Sequence, residues 1–167
     1  MKLSIAIIDY GLGNIQSAKK SIEKVILDNN VEGDVYFASD FKLLEKSTHI
    51  ILPGQGAFES CIKGLKNLEG MIDELNKQII YKKKPILGIC VGMQLLANRS
   101  FENGINEGLG WIEGSIEKVP NGKLSLPHMG WNDLTKQSSH KVLDNINNDD
   151  HFYFVHSYYF KTINNEN

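Results

Sequence analysis

The feature that most constrains this chain is Gly88-Ile89-Cys90-Val91-Gly92-Met93-Gln94, which joins the apolar run Pro85–Ile89 to a stretch of helical character at Met93–Ala97. A short apolar run bounded by turn signals reads as a buried strand. A cysteine between two glycines at such a strand-to-helix junction has the layout of a nucleophile elbow. The glycines let the chain turn sharply and keep side chains away from the thiol. The positive end of the following helix favours thiolate, the reactive form, and the backbone N–H of Val91 points where an oxyanion would develop. The other cysteine, Cys61, falls in a helical stretch and reads as packing.

An elbow of this kind needs a sheet of parallel strands behind it, and the first part of the chain supplies the pattern. Leu3–Ile8, Val35–Ala38, His49–Leu52 and Pro85–Ile89 read as short strands. Between them Ile15, Ala18, Ile22 and Val25–Ile26 recur at helical spacing, with Asn14 placed to cap, and Ile62, Leu65, Leu68, Met71–Ile72, Leu75 and Ile79 mark a longer, interrupted helical stretch. Strand and helix in alternation imply an α/β fold, a doubly wound and mostly parallel sheet covered on both faces. After about Gly108 the pattern turns β-rich, with strands expected at Trp111–Val119, Trp131–Leu134 and Phe152–Phe160. At 167 residues the chain reads as a single domain, 1–167.

Loops at the carboxyl ends of neighbouring parallel strands share one crevice. Pro53-Gly54-Gln55-Gly56-Ala57-Phe58 follows the third strand and so approaches Cys90, where the N–H of Gln55 becomes the second oxyanion donor. Asp9-Tyr10-Gly11-Leu12-Gly13-Asn14 has the start of a dinucleotide fingerprint, but Gln16 stands where the third glycine belongs, and it reads as a structural turn. The loop Pro127–Asn132, carrying His128, Met129 and Trp131, is either a packed loop or a contact patch. None of His49, His128, His140, His151 or His156 has metal-ligand spacing to a Cys, Asp or Glu, so no metal and no cofactor are expected.

The net charge of −2 and the isolated Lys82–Lys84 run argue against nucleic acid or anionic membrane as partners. Two cysteines are too few for a disulfide framework, and no apolar stretch reaches transmembrane length, so the chain is expected to be cytoplasmic with reduced thiols.

Taken together, GICVGMQ with the upstream PGQGAF resembles the class I, or triad, glutamine amidotransferases, whose sheet is flavodoxin-like. IAIIDYGLGN, GLGWIEG, LPHMGWN and FYFVHSY narrow the resemblance to the histidine-biosynthesis branch, in order from Ile5 to about Phe160. The resemblance implies a glutaminase subunit in which Cys90 attacks the side-chain amide of glutamine. Backbone N–H groups of Gln55 and Val91 would hold the oxyanion, and Gly56, Gln94, Ser157 and Tyr158 would contact the substrate. The ammonia would pass, within a heterodimer, to a (β/α)₈-barrel cyclase subunit that makes imidazole glycerol phosphate. Asn14, His128 and Trp131 would face that partner. The family's His-Pro-Glu segment, which carries the remaining catalytic pair, is absent from the sequence. His156 matches the family's V-H-S-Y strand rather than its base, and the domain is therefore expected to be incomplete at its C-terminus, with Phe152–Phe160 exposing an apolar edge. Three alternatives stay open: a non-catalytic protein that only docks on the barrel, a paralogue feeding ammonia to surface-sugar synthesis, and another cysteine hydrolase on a flavodoxin-like sheet.

Overall fold

The computed structural model describes residues 2–120, 125–137, 139–147 and 149–163. Its first part is a βα alternation: β1 (Leu3–Ile8), α1 (Ile15–Asp28), β2 (Gly33–Ala38), β3 (His49–Gly54), α2 (Phe58–Lys66), α3 (Met71–Asn76), β4 (Ile86–Cys90) and the single turn α4 (Val91–Gln94). The four strands form one parallel sheet in the order β2-β1-β3-β4.

Alternation along β1 divides the core between the two faces of that sheet, since successive strand side chains point to opposite sides. Ile5 and Ile7, with Val35 and Ile51, meet Ile15, Ala18, Ile22 and Ile26 of α1. Ala6 and Ile8, with Ile50 and Leu52, meet Phe58, Cys61, Ile62 and Leu65 of α2 and Met71 and Leu75 of α3. The expected apolar stripe of α1 holds except at Val25, which is exposed together with Leu27. The Asn14 side chain caps the helix by accepting from Ser17 N–H at 3.2 Å. The interrupted stretch after Pro53 resolves into α2, α3 and a π turn at Lys77–Tyr81.

The β-rich part forms two further sheets. One contains β5 (Ala97–Ser100), β6 (Asn106–Glu107), β7 (Ile112–Lys118) and β10 (Tyr158–Thr162) in the order β10-β7-β5-β6. It is mixed: β5 runs parallel to β7, whereas β6 and β10 pair antiparallel with their neighbours. The other is the antiparallel pair β8 (His128–Asp133) and β9 (His151–His156). The segment expected as one strand, Phe152–Phe160, is thus broken at Ser157, because β9 pairs with β8 and β10 pairs with β7. The helical stretch expected at Met93–Ala97 ends early for a similar reason: Ala97 is drawn into β5 opposite Ile112. Among the described residues β4 pairs on one side only, with β3, and Leu87 and Ile89 are exposed.

Candidate active site

Cys90 ends β4 with φ 56° and ψ −121°, a backbone conformation that a residue with a Cβ seldom adopts. Such strain at the tip of a strand-to-helix turn is the signature of an elbow that pushes its side chain outward, and Cys90 is exposed while Cys61 is buried. The flanking glycines are there for close approach. A Cβ on Gly92 would fall 1.8 Å from Leu52 O, and one on Gly88 would fall 2.5 Å from the Cα of Met93. The strand thus turns back across β3 with no room for side chains.

Parallel pairing of β3 and β4 sets Gly54 opposite Cys90 and Pro53 opposite Ile89. Gln55 and Gly56, the next residues, therefore come beside the thiol. A cavity of about 410 Å³ opens there and is lined by Gln55, Gly56, Cys90, Val91 and Gln94 on one side. Ser157 and Tyr158, from the junction of β9 and β10, close the other. All the residues that the sequence suggested for the nucleophile, the oxyanion donors and the substrate contacts share this one cavity.

One further residue at the cavity carried no mark in the sequence. Glu102 lines it, and its Oε2 accepts from Phe58 N–H at 2.8 Å, capping α2 across 44 residues of chain. Glu102 stands in the polar loop between β5 and β6, where no periodicity or motif marks it. Pro127 and Val155 complete the wall. A second, more apolar cleft of about 340 Å³ adjoins the first at Cys90 and runs past Met93, Tyr153, Val155 and Phe160.

His156 also borders the thiol cavity, but both of its ring nitrogens are already engaged. Its Nδ1 lies 3.0 Å from Tyr158 O, which can only accept, so that nitrogen carries the proton. Its Nε2, 3.1 Å from His128 Nδ1, then accepts from His128. His128 Nε2 in turn accepts from Asn132 Nδ2 at 2.8 Å. Both nitrogens of each ring are occupied in a chain running from Asn132 to Tyr158, and neither is left to take a proton from Cys90.

The three residues suggested for a partner surface are placed separately. Asn14 is exposed where α1 begins. His128 is half-buried in β8, stacked on Phe154 at 5.2 Å between ring centroids. Trp131 stands out on the hairpin, 69% exposed and edge-on to Tyr153. Among the described residues no group of three or more His, Cys, Asp or Glu side chains is arranged to hold a metal ion, and no helix is long and apolar enough to cross a membrane.

An elbow cysteine on the carboxyl edge of a parallel sheet, facing a glycine-rich loop of backbone donors, matches the family model "Glutamine amidotransferase class-I" over residues 6–167. The chain belongs to the class I glutamine amidotransferase family. It is 42% identical over 162 residues to the imidazole glycerol phosphate synthase subunit HisH of Rhodospirillum rubrum, covering 95% of this chain and 76% of that protein. It is 45% identical over 158 residues to the subunit HisH 1 of Campylobacter jejuni, covering 94% and 75%. A crystal structure described as a glutamine amidotransferase shares the fold with a TM-score of 0.59 at 19% identity, over 77% of this chain and 62% of that one. The chain thus spans about three quarters of the length of these curated relatives and less than two thirds of that solved chain.

Proposed function

We propose that this chain is the glutaminase subunit of an imidazole glycerol phosphate synthase, capturing glutamine at Cys90 and passing its amide nitrogen to a (β/α)₈-barrel synthase subunit in a cytoplasmic heterodimer. The observation that carries the reading is the shared cavity of Gln55, Gly56, Cys90, Val91, Gln94, Glu102, Ser157 and Tyr158, together with identities above 40% to synthase subunits named HisH.

In this reading Cys90 Sγ adds to the side-chain amide carbon of glutamine, and the N–H groups of Val91 and Gln55 receive the oxygen as it becomes negative. Collapse of that intermediate releases ammonia and leaves a thioester, which water hydrolyses to glutamate. Glu102, the one carboxylate among the described residues of the cavity wall, suits the substrate's α-ammonium. Gly56, Gln94 and the Ser157–Tyr158 backbone suit its remaining polar groups. The exposed apolar row of Met129, Trp131, Tyr153 and Val155 supports docking on a protein partner, with Asn14 at that interface, while His128 lies on the opposite face of the hairpin against Phe154 and His156. Turnover needs a general base, and His156, the described histidine on the cavity wall, has both ring nitrogens engaged. Capture of glutamine by Cys90 and its turnover are therefore separable, and the domain is proposed to gain its base from a His-Glu pair outside residues 1–167.

The occupied nitrogens of His156 and His128 favour one second reading, a protein that docks on the barrel without hydrolysing glutamine. A barrel synthase subunit from histidine biosynthesis, supplied with its nucleotide substrate, discriminates the two. Product formed from glutamine on adding this chain supports the glutaminase reading. Product formed only from ammonium salts, with the two proteins still co-eluting, supports the second. Failure to co-elute and to deliver nitrogen overturns both.

A further inference from the structure

Two buried side chains that take no part in the chemistry reach the backbone of the Gln55 loop. Tyr10, just past β1 and 6% exposed, donates its hydroxyl hydrogen to Pro53 O at 2.6 Å. Cys61, on α2 and fully buried, donates its thiol hydrogen to Gln55 O at 3.3 Å. The two side chains also lie against each other, and burial pushes the Tyr10 phenol well above its ordinary pKa and raises that of the Cys61 thiol, so both remain neutral donors.

These bonds fall on the peptides either side of the one that matters. Pro53 O belongs to the peptide 53–54 and Gln55 O to the peptide 55–56. The N–H of Gln55 lies in the peptide between them, which can swing about the line from Gly54 Cα to Gln55 Cα unless its neighbours are held. Gly54 and Gly56 give the loop freedom that other residues would not, and Gly56 uses it, with φ at 92°. We infer that Tyr10 and Cys61 form a brace that fixes the orientation of the Gln55 N–H, making both positioning residues for the oxyanion site. This rests on the assignment of that N–H to the oxyanion hole. A catalytic donor is worth most when its direction is set in advance, and a brace of two neutral donors, one just past β1 and one from α2, ties the loop to the core they share on one face of the sheet.

Two alkylating agents separate the brace from ordinary packing in the full chain. A chloroketone analogue of glutamine reacts through an oxyanion: sulfur adds to the ketone carbon and the oxygen becomes negative, then sulfur migrates to the methylene with loss of chloride, its bond to the former ketone carbon breaking as the C=O re-forms. Iodoacetamide loses iodide by direct displacement and forms no oxyanion. Rates are read at Cys90 by peptide mass. Tyr10→Phe and Cys61→Ala should each slow the chloroketone by roughly tenfold and leave the iodoacetamide rate within twofold. Cys61→Ser, which keeps a donor at the same place, should recover most of the chloroketone rate. Equal slowing of both reagents, an unchanged or faster chloroketone rate, or no recovery with serine would overturn the brace. A wild-type chain whose Cys90 shows no preference for the chloroketone over iodoacetamide would instead overturn the oxyanion assignment itself.

Discussion

The parallel-sheet half and the β8–β9 hairpin carry the same kind of apolar strand residue and treat it in opposite ways. Ile7, Ile8, Ile50 and Leu52 are fully buried between helices on both faces of the sheet. On the hairpin Met129, Trp131, Tyr153 and Val155 share one face, and all four are more than half exposed. The difference separates two tasks. The sheet pays for a strained elbow at Cys90, whose positive φ survives only because the surrounding packing leaves no alternative. The hairpin contributes little core and presents a surface that closes over the nucleophile and faces outward.

The contrast can be broken most severely at the elbow. Gly92→Ala puts a Cβ against Leu52 O, and we expect a loss of about 4 kcal/mol or more, read as a fall in the denaturant midpoint. A loss under about 1 kcal/mol would mean that β3 and β4 are not held together as described. Next, Leu52→Ala should cost about 2–5 kcal/mol, whereas Val155→Ala should change stability by no more than about 0.5 kcal/mol. Equal costs in chemical denaturation would erase the distinction between the two regions. Trp131→Ala sharpens it from the other side: stability should hold while affinity for the barrel partner falls by about 2 kcal/mol, the scale of an aromatic hot spot, as titration calorimetry would register.

The smallest effect is a pH dependence confined to the sheet half. Burial raises the pKa of Cys61 and Tyr10 above ordinary values of 9.0 and 10.0. On raising the pH the unfolded chain loses these protons first, so their contribution is complete below pH 9 and declines above it. Melting temperature should therefore drop in alkali, and the drop should be smaller in Cys61→Ala than in the wild type. An identical drop in both would remove Cys61 from the account.

Much of the sheet half was legible because its signals are local. The apolar runs, the cap at Asn14 and the glycines around Cys90 each identify an element without reference to the rest of the chain. Gln55 followed from the crevice that neighbouring parallel strands share, whereas the proposed substrate contacts Gly56, Gln94, Ser157 and Tyr158 were reached through the family resemblance, and the structure gathers all five at one cavity. Other features depend on long-range pairing and left no local mark. The run from Phe152 to Phe160 is apolar and aromatic except at His156 and Ser157, and two different partner strands split it at Ser157. Glu102 sits in a loop that resembles any polar connection, and only its bond to Phe58 N–H reveals its place. Cys61 reads as packing and is packed; its link to the Gln55 carbonyl depends on how α2 lies against the loop. Leu87 and Ile89 look like core and are exposed, because β4 has a described neighbour on one side only.

The most direct test of the central claim is to treat the chain with the glutamine chloroketone and map the adduct, with and without glutamine as competitor. A single adduct on Cys90 is expected, slowed by glutamine and not by asparagine, and none on Cys90→Ala. Labelling that falls equally on Cys61, or that glutamine does not slow, would contradict it.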